Sequence, residues 1–227
     1  MRRCQLPVLV SSGGPGSYIN CGGGASLGVT TAYTFDMLMK RRPSPYSGPG
    51  YAKMAEKYEG FVGGIWLYMW QDPPAEGKML IYHENGMFAS TFDTTNKMAS
   101  IGIWTRVAVT WSSGNKVNFY VNGVLIEQSV AVFIDPSIAG TPFYMAKDFD
   151  GILAEYVMYN RALSVSELLY NLNHPGNPIR RGIVMHQSQE SMFGGSWADL
   201  SGLGNNGVMT ACSVGQSNNL SGRQVSL

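Results

Sequence analysis

A chain of 227 residues with 44% hydrophobic and only 14% charged side chains can fill one substantial core, and must take its surface polarity from Ser, Thr, Asn and Gly. A formal charge of +1 gives no electrostatic reason to expect nucleic acid or an anionic membrane as partner. Cys4, Cys21 and Cys212 make an odd count that argues against a disulfide framework, and no stretch approaches the roughly 20 apolar residues needed to insert across a bilayer.

The first ten residues are basic and then apolar, but Pro7 breaks the run before it reaches the length of a signal-peptide core. Residues 33–40 alternate with period two: Tyr33, Phe35, Met37 and Met39 share one face, Thr34, Asp36, Leu38 and Lys40 the other. Residues 41–50 form a Pro/Ser/Gly loop, and residues 51–60 are polar and read as a mildly helical excursion at the edge of the fold. Strands follow at 61–70, 78–83 and 87–92, the last two joined by a turn at Glu84-Asn85-Gly86. Gly63 and Gly64 suggest a bulge or a close approach of two backbones.

Residues 104–129 read as a three-stranded meander. Val107, Val109 and Trp111 alternate with Arg106, Ala108 and Thr110, Ser113-Gly114-Asn115 makes one turn, and Asn122-Gly123 makes a type I′ hairpin. Residues 151–159 form another strand. It leads into a short helix at about 165–172, which opens on a Ser164/Glu167 capping box and stops at Asn173-His174-Pro175. After a linker at 175–178, residues 182–187 and 207–213 read as strands around a Gly/Asn-rich turn.

The segment 104–111 (WTRVAVTW) with 117–123 (VNFYVNG) resembles the central meander of laminin G-like domains of the concanavalin A-like lectin/glucanase superfamily. Residues 151–164 (GILAEYVMYNRALS) resemble their closing strand and capped helical turn, and 17–20 and 33–40 fit their opening strands. The resemblance spans residues 16–174 and implies an all-β jelly-roll sandwich of two antiparallel sheets with one short helix. This sequence departs from the family pattern in two places. Ala154 replaces the first of an acidic pair on the closing strand, leaving Glu155. A motif that usually opens such domains, 197–207 (WADLSGLGNNG), stands near the end instead. The expected organisation is a single domain over residues 1–227. Residues 1–178 form the main body, and residues 179–227 complete the sheet either within the chain, as in a circular permutation, or in a neighbouring copy of a homo-oligomer.

Glucanases of this fold need paired carboxylates about 5 Å apart on one strand. Glu155 reads as alone and Glu84 as a turn residue, so catalysis is not expected. No Gly-x-Ser-x-Gly elbow and no zinc spacing occur, and His83, His174 and His186 lack a recognisable order of partners. Calcium could take oxygen ligands from Asp148 and Asp150, or from Asp199 with Asn205 and Asn206. The simpler reading of these residues is turn formation, because Asp and Asn bond their own backbone. Trp66, Tyr68 and Trp70 share one face of a strand and would make a sugar-stacking platform if exposed, but a sandwich buries one face of every strand and its core consumes aromatics, so core placement is the favoured reading. Asn219-Leu220-Ser221 matches a glycosylation sequon. The expectation is a non-catalytic, lectin-like protein that decorates a virion or an extracellular surface, with a protein assembly as partner. The alternative is a carbohydrate-binding module acting through calcium or an aromatic face, with glycans as partner.

Overall fold

The computed structural model describes residues 6–12, 16–43, 50–59, 62–137 and 140–217. Within them the strands are β1 (Leu6–Ser12), β2 (Tyr18–Asn20), β3 (Ala32–Arg41), β4 (Tyr51–Glu59), β5 (Gly63–Trp70), β6 (Met79–Glu84), β7 (Ala89–Asp93), β8 (Trp104–Ser112) and β9 (Asn118–Val121). They continue with β10 (Val124–Gln128), β11 (Tyr144–Met145), β12 (Asp150–Tyr159), β13 (Ile183–Ser188), β14 (Met192–Phe193), β15 (Ser196–Trp197), β16 (Gly207–Thr210) and β17 (Cys212–Ser217); the helix α1 (Val165–Asn173) lies between β12 and β13. Cys4, the loop at 44–49 and the sequon at Asn219 lie outside the described residues.

The strands form two antiparallel sheets. One runs β10-β9-β8-β3-β12-β1-β17, with β13 also on β12; the other runs β14-β15-β16-β2-β11-β4-β5-β6-β7. Apolar faces meet between the sheets. Tyr33, Phe35, Met37 and Met39 of β3, Val107 and Val109 of β8 and Leu67 and Met69 of β5 are all fully buried in this shared core.

The tail beyond residue 178 contributes to both sheets. β12 is flanked on one side by β3 and on the other first by β1, from Asp150 to Leu153, and then by β13, from Glu155 to Tyr159. β16 pairs with β2 and β17 with β1. Trp197 is fully buried, and its indole N–H donates to the Ser188 carbonyl at 2.6 Å.

The outer faces of the two sheets differ. α1 begins at the expected capping box, Ser164 with Glu167, and packs through Leu168 over Ala108, Tyr120, Val157 and Tyr159. Thr34 and Asp36 of β3, Arg106, Ala108 and Thr110 of β8, and Val157 and Tyr159 of β12, which point away from the core, are therefore buried as well. On β5 the outward side chains remain half-buried.

One expected element is corrected. Residues 51–59 form strand β4, not a helical excursion. A bulge between Lys53 and Ala55 breaks the alternation. It leaves Tyr51, Met54, Ala55 and Tyr58 at i, i+3, i+4 and i+7, the spacing of a helix face. Pairing with β5 overrides the local preference. The two glycines at the start of β5 do mark a close approach: a Cβ on Gly64, whose φ is +144°, would lie 2.1 Å from the Lys57 carbonyl oxygen.

Candidate carbohydrate-binding face

Strand β5 alternates Ile65, Leu67 and Met69 into the core with Trp66, Tyr68 and Trp70 on the outer face. The aromatic stripe therefore faces outward, which corrects the expected core placement: the core demand for aromatics is met elsewhere, by Tyr33, Phe35, Trp111, Phe119 and Tyr156. Neighbouring strands extend it. Trp66 lies 3.8 Å from Tyr58 and 5.2 Å from Tyr82 between ring centroids, and Tyr51 lies 4.7 Å from Tyr68 and 5.9 Å from Trp70. Such packing fixes the rings with little conformational freedom left to lose on binding.

Register makes the stripe part of a longer line. Direct cross-strand partners share a face, and successive pairings run Ser196–Val208–Asn20–Tyr144–Glu56–Trp66–Tyr82–Thr91, from β15 to β7. Each of these residues is half-buried or exposed. At about 4.8 Å per strand the line is on the order of 30 Å long.

Polar groups edge the aromatics. Trp70 Nε1 donates to Asp93 Oδ1 at 3.0 Å, and the Tyr82 hydroxyl donates to Glu84 Oε2 at 3.2 Å. Lys53 Nζ stands 5.4 Å from the Trp66 ring centroid and pairs with Glu56. Trp66 Nε1 is buried and has no hydrogen-bond partner among the described residues. Burial raises the Tyr68 hydroxyl well above the usual tyrosine range, helped by Tyr51 and Glu56, so it stays a neutral donor.

Next to the aromatic stripe lies a cleft of about 280 Å³ lined by Tyr18, Glu56, Tyr58, Thr141, Pro142, Tyr144 and Lys147. Tyr18 and Tyr144 meet edge to face at 5.4 Å, and Lys147 Nζ lies 5.9 Å from the Tyr144 ring centroid and 3.5 Å from Glu56 Oε2. These cleft residues come from three separate segments and were not picked out by the sequence reading. The bulge in β4 hid Glu56 and Tyr58, and a two-residue strand gives Tyr144 no periodicity to read.

The expected calcium ligands have other occupations. Asp148 Oδ1 accepts from the Gly16 N–H at 2.8 Å, and Asp150 Oδ1 lies 3.6 Å from Arg42 Nε. Asp199 accepts through Oδ1 from the His186 and Ser201 N–H groups, and through Oδ2 from the Ser201 hydroxyl and the Asn205 N–H. Asn205 donates through Nδ2 to Ser26 Oγ and the Val184 carbonyl. Of these bonds only those between Asp199 and Ser201 are local turn bonds; Asp148, Asp150 and Asn205 tie together segments distant in the chain. Among the described residues no group of three or more His, Cys, Asp or Glu gathers where a metal could be held.

Glu155 is not alone, in contrast to the sequence reading. Arg106 Nη1 donates to it at 2.8 Å while the same guanidinium grips Asp36, and His186 Nε2 lies 3.0 Å from its other oxygen. Burial pushes the Glu155 carboxyl up, but Arg106, His186 and the Gly176 N–H outweigh it and hold the group below the ordinary carboxylate range. It is a charge-compensated group inside the fold, 2% exposed. Glu84 closes β6 and does not sit in a turn. His174 caps α1, its Nδ1 2.8 Å from the Tyr170 carbonyl.

Residues 12–169 match the family described as the concanavalin A-like lectin/glucanases superfamily. No curated protein matches the chain. Among solved structures, the "putative carbohydrate binding protein" from Bacteroides ovatus ATCC 8483 superposes with a TM-score of 0.70 at 16% identity, over 95% of this chain and 61% of that one. The binding domain of Paraclostridial Mosquitocidal Protein 1 gives 0.51 at 13% identity, over 74% and 43% respectively. The chain thus spans less than two thirds of each neighbour's length, and at these identities the likeness is one of fold.

Proposed function

Since the chain belongs to the concanavalin A-like lectin/glucanases superfamily, we propose that it is a non-catalytic carbohydrate-binding module whose saccharide lies on the outer aromatic face of β4, β5 and β6. The observation that carries this reading is the outward placement of Trp66, Tyr68 and Trp70 on a sheet face that α1 does not cover. Aromatic rings offer a flat apolar surface to the C–H face of a sugar, while rim groups such as Asp93 and Glu84 take its hydroxyls. The Bacteroides ovatus neighbour, a "putative carbohydrate binding protein", is in keeping with this reading. Saccharide attachment, more than decoration of a virion lattice, is what an outward aromatic stripe serves.

The test is a saccharide panel on the whole chain, followed by calorimetry with Trp66→Ala and Trp70→Ala. Binding that falls about fivefold or more in either variant, with the melting temperature checked, supports the platform. Saturable binding that both variants retain in full moves the site elsewhere.

A further inference from the structure

We infer that the cleft between Tyr58 and Tyr144 seats the acidic group of an anionic glycan, so that the ligand carries a carboxylate or sulfate as well as apolar sugar faces. The inference rests on the platform reading and names the ligand class of that face.

Charge is the first ground. Lys147 lines the cleft, Lys53 stands beside it, and both pair with one carboxylate, Glu56. Two ammonium groups thus share one negative charge.

Placement is the second. Glu56 interrupts the line of outward residues between Tyr144 and Trp66, with rings on both sides. A saccharide lying on Trp66 and Tyr82 brings its next unit over this charged break. Thr141 Oγ1, in the cleft wall, is buried and has no hydrogen-bond partner among the described residues, which leaves it able to donate to an oxyanion. Lys147 is a third exposed at its side chain and can turn from Glu56 to a ligand. Glu56 then acts as a placeholder that keeps two lysines in position while the cleft is empty.

The experiment is calorimetry of the whole chain with an oligogalacturonate, a sulfated heparin-derived oligosaccharide and a neutral cello-oligosaccharide of matched length. At low salt at least one acidic ligand is expected to bind about tenfold tighter than the neutral one, with the margin shrinking as salt rises. The two acidic arms tell carboxylate from sulfate. Lys147→Gln should remove the acidic margin, bringing the acidic ligands to the affinity of the neutral one. Glu56→Gln, which frees both lysines, should tighten acidic binding, whereas a neutral ligand held by the Glu56 carboxylate would bind more weakly. Neutral binding equal to or above acidic, or a margin indifferent to Lys147→Gln, overturns the inference and leaves the platform standing. No binding by any of the three, together with none on the wider panel, overturns both.

Discussion

Arg106 grips Asp36 in a two-pronged contact, Nε to Oδ1 at 2.7 Å and Nη2 to Oδ2 at 2.9 Å, with the guanidinium only 3% and the carboxylate 1% exposed. Its third arm reaches Glu155, and Asn171 of α1 donates to both Asp36 and the Tyr159 hydroxyl. The network ties β3, β8 and β12 to the helix, and through His186 to the tail. Removing one partner strands the others as buried charge. Arg106→Ala should therefore cost about 3–5 kcal/mol in urea unfolding, well beyond a surface ion pair. A loss under about 1 kcal/mol would mean that water reaches the carboxylates.

The same burial sets an acid limit. His83 is fully buried between the Tyr33 hydroxyl at 2.8 Å and the Ile134 carbonyl at 2.9 Å. Burial lowers its pKa to about 4 against the opposing pull of Ile134 and Asp135. An unfolded imidazole takes its proton near 6.5, so between those values the unfolded chain binds more protons, and stability falls as pH drops from about 6.5 toward 4. The excursion is on the order of 3 kcal/mol. Glu155, held low, adds a further loss once the pH falls below the ordinary carboxylate range near 4.3. Urea midpoints at pH 7, 5 and 4 measure both, and His83→Gln should flatten the upper part of the slope.

Cys21 is 3% exposed, and burial pushes its thiol up to about 12, so no thiolate forms at neutral pH. In a Cys4→Ser, Cys212→Ser background, Cys21 should resist a thiol reagent in the native state and react fully in urea. Rapid native labelling would show that the core opens at that point.

The tail should be required for folding. Trp197→Ala, which empties a fully buried site in the shared core, should cost about 3–5 kcal/mol. Ending the chain after Pro178 removes β13 from β12, β16 from β2 and β17 from β1, and should leave no cooperative thermal transition. An unchanged melting temperature in the shortened chain would show that the main body is independent.

What was legible in the sequence depended on unbroken alternation. β3 and the meander β8–β10 carry it and were found to within a residue or two; the Asn122-Gly123 turn shows positive φ at both positions, 50° and 79°. β4 was hidden because its bulge converts strand spacing into helix spacing. β1 was missed because Pro7 and its short apolar run were weighed only as a leader. The orientation of Trp66, Tyr68 and Trp70 was read the wrong way, toward the core, since Ile65, Leu67 and Met69 make the other face of β5 equally apolar. Only the neighbouring strands decide which set meets the opposite sheet. The cleft depends on Tyr18, Glu56 and Tyr144, which come together through register and not through any local pattern.

Leu6 and Ser217 are cross-strand partners in the pairing of β1 with β17. The polypeptide thus enters and leaves this body about 5 Å apart, at one margin of one sheet. These two described ends meet on the sheet that does not carry the aromatic stripe.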